Sequence, residues 1–178
     1  NMKVKFLDLS FNDINEKKQL HKIFEKKLKS GIFSGGNSIK NFEKKISKYF
    51  NSKFSVGTGS GSSALYIALK SLGVGVGDEV ITTPFTWIIT TNAIVSTGAK
   101  PVFADICDDF NIDPESIKKL ISSKTKAIVP MHMSGHMCEM FEISKIAREN
   151  YLHIVEDAAH ALCSSLNNQK AGSFSSVA

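Results

Sequence analysis

Three short stretches of this sequence bring chemically capable residues to places where a folded chain can use them. VGTGSGSSALYIAL, starting at Val56, runs through Gly57, Gly59 and Gly61 into Ser62 and Ser63 at the head of an apolar-periodic segment. Free amides and the positive end of a helix dipole attract anions at such a position, and two hydroxyls add donors. In TTPFTWIITTNAI, Pro84 closes an apolar run, and Thr86 and Trp87 follow it. An indole face at a strand end can stack on a planar heterocycle. In YLHIVEDAAHALCSS, Glu156 and Asp157 leave the apolar residues Leu152, Ile154 and Val155 without an intervening turn residue, and His160 comes three residues later. The carboxyl end of a strand is where open α/β sheets bind ligands.

Taken singly, each stretch has an ordinary explanation. A glycine-rich turn can be a plain helix cap, and a lone Trp is often core or a surface anchor. Asp157 can pair with a nearby Lys, and His160 can be a satisfied core histidine. Glu156 reads as a strand-end charge and receives no role. Nucleotide chemistry fits poorly. The pattern GxxxxGK[ST] is absent, and the spacing GxGxG departs from GxGxxG. Asp78 lies about 20 residues past the glycines, as a dinucleotide fingerprint asks, but it precedes its strand instead of ending it.

The elements that must position these residues alternate from Phe54 onward. Strands are predicted at KFSVG, DEVITT, KPVFADI, KAIVPMHM and LHIVE, and helices at SSALYIALKSLG, TWIITTNAIVSTG, DPESIKKLISS and MFEISKIAREN. Asp113 before Pro114 is a capped helix start, and Gly73 and Gly98 are helix stops. Strands separated by helices of this length imply βαβ units, hence a mostly parallel sheet covered on both faces. Before it come two Lys-rich amphipathic helices, with Leu20, Ile23, Phe24 and Leu28 on one stripe and Ile39, Phe42, Ile46 and Tyr49 on the other. Between them lies SGIFSGGNS, a glycine break holding Ile32 and Phe33. The expected division is a helical segment over 1–52 and a partial α/β domain over 53–178. The approach to a further strand at NNQKAGSFSSVA suggests a chain that stops within a domain.

Composition narrows the function classes. With 178 residues and 42% apolar content, the chain can fill a sizeable core. Its net charge of +5 comes from lysines scattered along helix faces, and Arg148 is its single arginine. That pattern argues against nucleic acid as a partner. Cys107, Cys138 and Cys163 are widely spaced, with no metal-ligand pattern, so no metal site is expected and a reduced, cytoplasmic setting is the simplest reading. The most apolar window falls far short of the ~20 residues that span a bilayer.

A phosphate cradle, an aromatic plate and a carboxylate, each at a strand end, suit one kind of ligand: a planar, phosphorylated, cationic ring. Pyridoxal 5'-phosphate is such a ring, and a buried carboxylate keeps its pyridinium nitrogen protonated.

The same residues in the same order resemble the DegT/DnrJ/EryC1/StrS family of pyridoxal-phosphate sugar aminotransferases. The likeness covers nearly the whole chain through SGIFSGGNSIKNFEKKISKYF, GSGSSALYIALKSLGVGVGDEVITTPFTW, GAKPVFADI, KAIVPMHMSG, IVEDAAHA and KAGSFSSVA. It implies the large domain of a fold-type I transferase, a mostly parallel sheet flanked by helices and truncated before the Schiff-base lysine, which is expected beyond Ala178. By position, Ser62 and Ser63 with the Gly61 turn would hold the phosphate, and Trp87 would stack on the ring. Asp157 would bind the pyridinium nitrogen and His160 would lie near the phenolic oxygen. Phe33, Ser34 and Gly35 would border the substrate. The resemblance further implies a nucleotide-linked keto sugar, an amino-acid donor and a homodimer at full length, with the isolated fragment inactive. Two alternatives stand beside it: a dehydratase branch with His at the lysine position, and a non-catalytic binding module.

Overall fold

The structure, a computed structural model, describes residues 10, 13–175 and 177–178. It contains two compact units, residues 1–45 and 46–178. Helix α1 (Ile14–Ser30) begins where Asp13 accepts the amides of Asn15 and Glu16, and ends where Gly31 turns left-handed at φ +66°. These are the usual N-cap and C-cap chemistries. Helix α2 (Asn37–Phe50) follows the glycine break. Both helices fall where the apolar spacing predicts them.

The larger unit alternates helix and strand as expected. In chain order it has α3 (Gly61–Ser71), β1 (Glu79–Thr82), α4 (Ile88–Ser96), β2 (Lys100–Phe103), α5 (Pro114–Leu120), β3 (Thr125–Ile128), α6 (Met140–Glu149) and β4 (His153–Ile154), with a short hairpin of β5 (Ser165–Leu166) and β6 (Gln169–Lys170). Asp113 caps α5 through the amide of Glu115, with Pro114 at the first turn. Gly73 and Gly98 take φ +75° and +92° at the ends of α3 and α4. Alanine at Gly98 would put its Cβ 2.7 Å from Val76 Cγ2, so this stop requires glycine for space as well as for backbone angle.

Strands β1 to β4 form one parallel sheet in the order β2-β1-β3-β4. Alternation along the strands sends Ile81, Ile128 and Ile154 into a core with Ile117 of α5 and Ile143 and Ile146 of α6. The intervening residues Val80, Ala127 and Val155 enter a second core with Leu65 and Leu69 of α3 and Ile94 of α4. Both faces are therefore buried, and the strands read as continuous apolar runs. Pro101 is tolerated because β2 is an edge strand of this sheet.

Two expectations need correction. KFSVG is not a strand: residues 53–60 form no named element, and Phe54 and Val56 lie exposed. Apolar alternation supplies a face, but a strand also needs a ladder partner. Most of the remaining strands and helices are shorter than the apolar runs suggest; β2 and β3 stop at Phe103 and Ile128, where their ladder pairing to β1 ends. Beyond β4 the chain continues through isolated parallel bridges, Val155 to Val177 and Met131 to Asp157.

The order of strands reverses between β1 and β3, since β2 lies on one side of β1 and β3 with β4 on the other. A crevice opens at the carboxyl ends of strands flanking such a reversal. The segments following β1, β3 and β4 all reach it.

Candidate active site

Asp157 leaves β4 on the α4 side of the sheet, the side that Val155 faces. The residue is 7% exposed. Thr90, inside α4, donates to Asp157 Oδ2 at 2.7 Å, and Thr90 is itself 2.9 Å from the Thr86 hydroxyl. The amide of Ala159 approaches Oδ1 at 3.3 Å. A carboxylate offers about four acceptor positions, so this one retains capacity for a further donor. Among the described residues Asp157 has no lysine or arginine partner, contrary to the ordinary explanation of a strand-end ion pair.

Trp87 and His160 are brought together. They line one hollow of about 260 Å³ with Pro84, Phe85, Thr86, Met131 and Met133, drawn from the segments after β1, β3 and β4. Trp87 is 73% exposed and stands at the N-cap position of α4. Its flat face is free for a ligand rather than spent in the core. His160 is exposed too, which removes the reading of a satisfied core histidine. Thr86 connects this hollow to Asp157 through the hydroxyl chain.

Ser62 and Ser63 occupy the first turn of α3 and line a second, open hollow of about 390 Å³ with Tyr66 of α3 and Ile89, Asn92, Ala93 and Ser96. The cap residue is Ser60, which sequence reasoning missed: its hydroxyl accepts the Ser63 amide at 3.1 Å and lies 3.0 Å from the Ser63 hydroxyl. The signal was present, because a Ser shortly before an apolar helical run is a capping pattern. The amides of Gly61 and Ser62 have no acceptor among the described residues, as the first turn of a helix dictates. Gly59 and Gly61 have no left-handed angle and a Cβ on either would meet nothing within 4 Å. Their small size leaves space above the helix terminus; a tight turn does not demand it.

A phosphorylated pyridine ring fits these residues. The empty space at Gly59 and Gly61 admits a phosphate to the free amides, and the underused carboxylate of Asp157 suits a cationic ring nitrogen. Phe33, Ser34 and Gly35 belong to the N-terminal unit, where Phe33 is exposed and Gly35 takes φ +69°.

Glu156 needs the largest correction. It is not a bare strand-end charge but is 1% exposed, facing away from Asp157. Its Oε1 accepts the Phe174 amide at 2.9 Å and the Ser175 hydroxyl at 2.8 Å. Its Oε2 accepts the Gly172 amide at 2.8 Å and His132 Nε2 at 3.1 Å. His132 Nδ1 accepts the Cys138 amide, which assigns the proton to Nε2. Burial pushes the Glu156 carboxyl up, but hydrogen bonds from His132, Gly172 and Ser175 outweigh it and hold the group below the ordinary carboxylate range. Nearby, burial pushes the Cys138 thiol up to about 12, so it stays protonated and donates to the Met131 carbonyl. Asp78 and Glu79 serve the opposite end of the sheet, where Asp78 accepts the Gly75 amide and Glu79 accepts from Ser122 and pairs with Lys100.

Comparison with known proteins places the chain among relatives. The chain is 40% identical over 178 residues to a "Pleiotropic regulatory protein" of Geobacillus stearothermophilus, covering 99% of this chain and 48% of that one. It is 36% identical to a "dTDP-3-amino-3,4,6-trideoxy-alpha-D-glucose transaminase" of Streptomyces venezuelae, covering 99% and 47%. The crystal structure of S. venezuelae DesV "in complex with ketimine intermediate" superposes with a TM-score of 0.81 at 33% identity, over 89% of this chain and 44% of that one. The chain thus spans about half the length of the curated relatives it matches. The sequence profile of one family matches residues 14–178, and by that match the chain belongs to the DegT/DnrJ/EryC1/StrS aminotransferase family.

Proposed function

We propose that this chain is the cofactor-binding part of a pyridoxal-phosphate aminotransferase that moves an amino group from an amino acid to a nucleotide-linked keto sugar. The observation that carries the proposal is Asp157: a nearly buried carboxylate with no cationic partner among the described residues, at the switch-point crevice of a parallel sheet. Family membership and the named activity of relatives such as the S. venezuelae transaminase support it.

Pyridoxal phosphate, when bound, supplies a ring that accepts electron density from the substrate carbon next to nitrogen. The protein's own part is placement. Ser62, Ser63 and the free amides at Gly61 and Ser62 would hold the phosphate, with the helix dipole favouring its charge. Trp87 would cover one ring face and exclude water from it. Asp157 would keep a proton on the ring nitrogen, its orientation set by the Thr90 hydroxyl. His160 would stand beside the phenolic oxygen. The lysine that carries the amino-transfer step is assigned to sequence past Ala178, in a cytoplasmic homodimer whose helical segment 1–52 precedes the α/β domain of 53–178.

The test uses the full-length protein. Reconstitution with pyridoxal phosphate should produce visible cofactor absorbance, and Asp157→Asn should lower turnover with a nucleotide keto sugar by about 10²-fold or more, the scale of a lost proton-holding group. Absence of visible absorbance after reconstitution, or an Asp157→Asn protein of full activity, would sink the reading.

A further inference from the structure

Glu156 stands outside the roles just described, yet its side chain gathers more hydrogen bonds than Asp157. It joins three stretches far apart in sequence: the segment after β3 through His132, its own strand, and the turn 172–175. Among the described residues that turn's other polar bonds, at Ser173 and Ser175, are local, to Gln169, Lys170 and Val177. The hairpin before it has two residues per strand, too short to be stable alone. Asn167, Asn168 and Gly172 all take positive φ, so the route depends on turn geometry rather than ladder pairing. Phe174 meets Phe141 edge-on at 5.2 Å and leans on the core beside α6. The polar bonds that reach from the turn to a distant part of the chain run from Gly172, Phe174 and Ser175 to Glu156, and two residues after Ser175 the chain pairs with Val155 through Val177. Successive side chains on a strand point to opposite faces. One short run therefore presents Asp157 to the crevice and Glu156 to the turn behind it.

We propose that Glu156 is a positioning residue: its carboxylate clamps the 172–175 turn against the end of β4 and so holds the adjoining Asp157 in register with the cofactor. The role rests on the cofactor reading above. The carboxylate form is required because all four groups around it are donors. An amide at this position would turn its own N–H₂ toward two of them and leave those donors unmatched. His132 contributes through Glu156, fixed by the Cys138 amide on its other nitrogen.

The test compares Glu156→Gln, Ser175→Ala and a packing control, Ile146→Val, in the full-length protein. Ser175→Ala removes one donor and leaves the buried charge held by three, so it folds even if Glu156→Gln does not. In the cofactor-free protein, amide exchange at Gly172 and Phe174 should accelerate about 10-fold in Ser175→Ala and more in Glu156→Gln, while β1 and β3 amides keep their wild-type rates. After loading with pyridoxal phosphate, the visible circular dichroism of the cofactor should change in both variants and stay unchanged in Ile146→Val. Exchange that rises equally across the sheet, an unaltered turn, or a dichroism change matched by Ile146→Val would each overturn the positioning role. A wild-type protein that takes up no cofactor overturns the cofactor reading and this role with it; an unaltered turn in a protein that does load overturns this role alone.

Discussion

Glu156 and Asp157 are adjacent in sequence and differ in almost everything else. On one face of the sheet, Glu156 is saturated by two amides, a hydroxyl and an imidazole, and has no access to solvent. On the other, Asp157 has one short bond from Thr90 and one long approach from Ala159, beside a hollow lined by Trp87 and His160. A buried charge is costly unless its partners are complete, so the protein itself completes Glu156. Under the proposed cofactor reading, a ring nitrogen would supply the further donor that Asp157 can accept. The contrast in saturation is what the two proposals, a clamp at Glu156 and a ligand contact at Asp157, rest on.

The largest effect expected on the saturated side comes from His132→Ala. It deletes a fully buried ring and one of four donors to Glu156, and should lower stability by about 3–4 kcal/mol in chemical denaturation. A loss below about 1 kcal/mol would mean that the network matters less than its geometry suggests. On the unsaturated side, Thr90→Val keeps the volume and removes the donor to Asp157. It should weaken retention of pyridoxal phosphate by about 10-fold, with a stability change near 1 kcal/mol, read by cofactor dialysis and thermal melting of the same samples. Equal cofactor retention in Thr90→Val would show that Asp157 is held in place by its backbone alone.

The smallest effect sharpens the comparison through pH. Because the folded-state carboxyl of Glu156 lies below its ordinary value of 4.5, its stabilisation is complete above that value and is lost as pH falls through the lower folded value. Stability of the wild type minus that of Glu156→Gln should therefore be flat near neutrality and shrink as the solution is acidified below 4.5. The subtraction is needed because half-buried Glu79 and Glu142 are shifted the same way, by Ser122 and Lys118 respectively. A difference that does not change with pH would mean that folding leaves the Glu156 carboxyl at its ordinary value, so that its network does not favour the charged form.

Much of the site was legible one residue at a time. Asp157 stood out because an acid without a turn residue follows an apolar strand. Ser62 and Ser63 stood out because small polar residues open a helical pattern, and Trp87 because it follows a strand-closing proline. Glu156 was misread because sequence shows only that it lies beside Asp157. Its partners Gly172, Phe174 and Ser175 come 16 to 19 residues later, and His132 lies 24 residues earlier. Thr90 was hidden for the same reason, 67 residues from the carboxylate it orients. The strand expected at KFSVG failed in the opposite direction, since its alternation was clear and its ladder was not.

The sequence by itself determined the alternation of helix and strand, the parallel sheet, the cap at Asp113, and the family, because each rests on periodicity or local order of residue types. Only the tertiary structure decided which of two neighbouring acids faces the crevice and which is consumed by the fold. That choice depends on the alternation of a strand combined with what packs on each face, and packing partners come together only when the distant segments have folded around them.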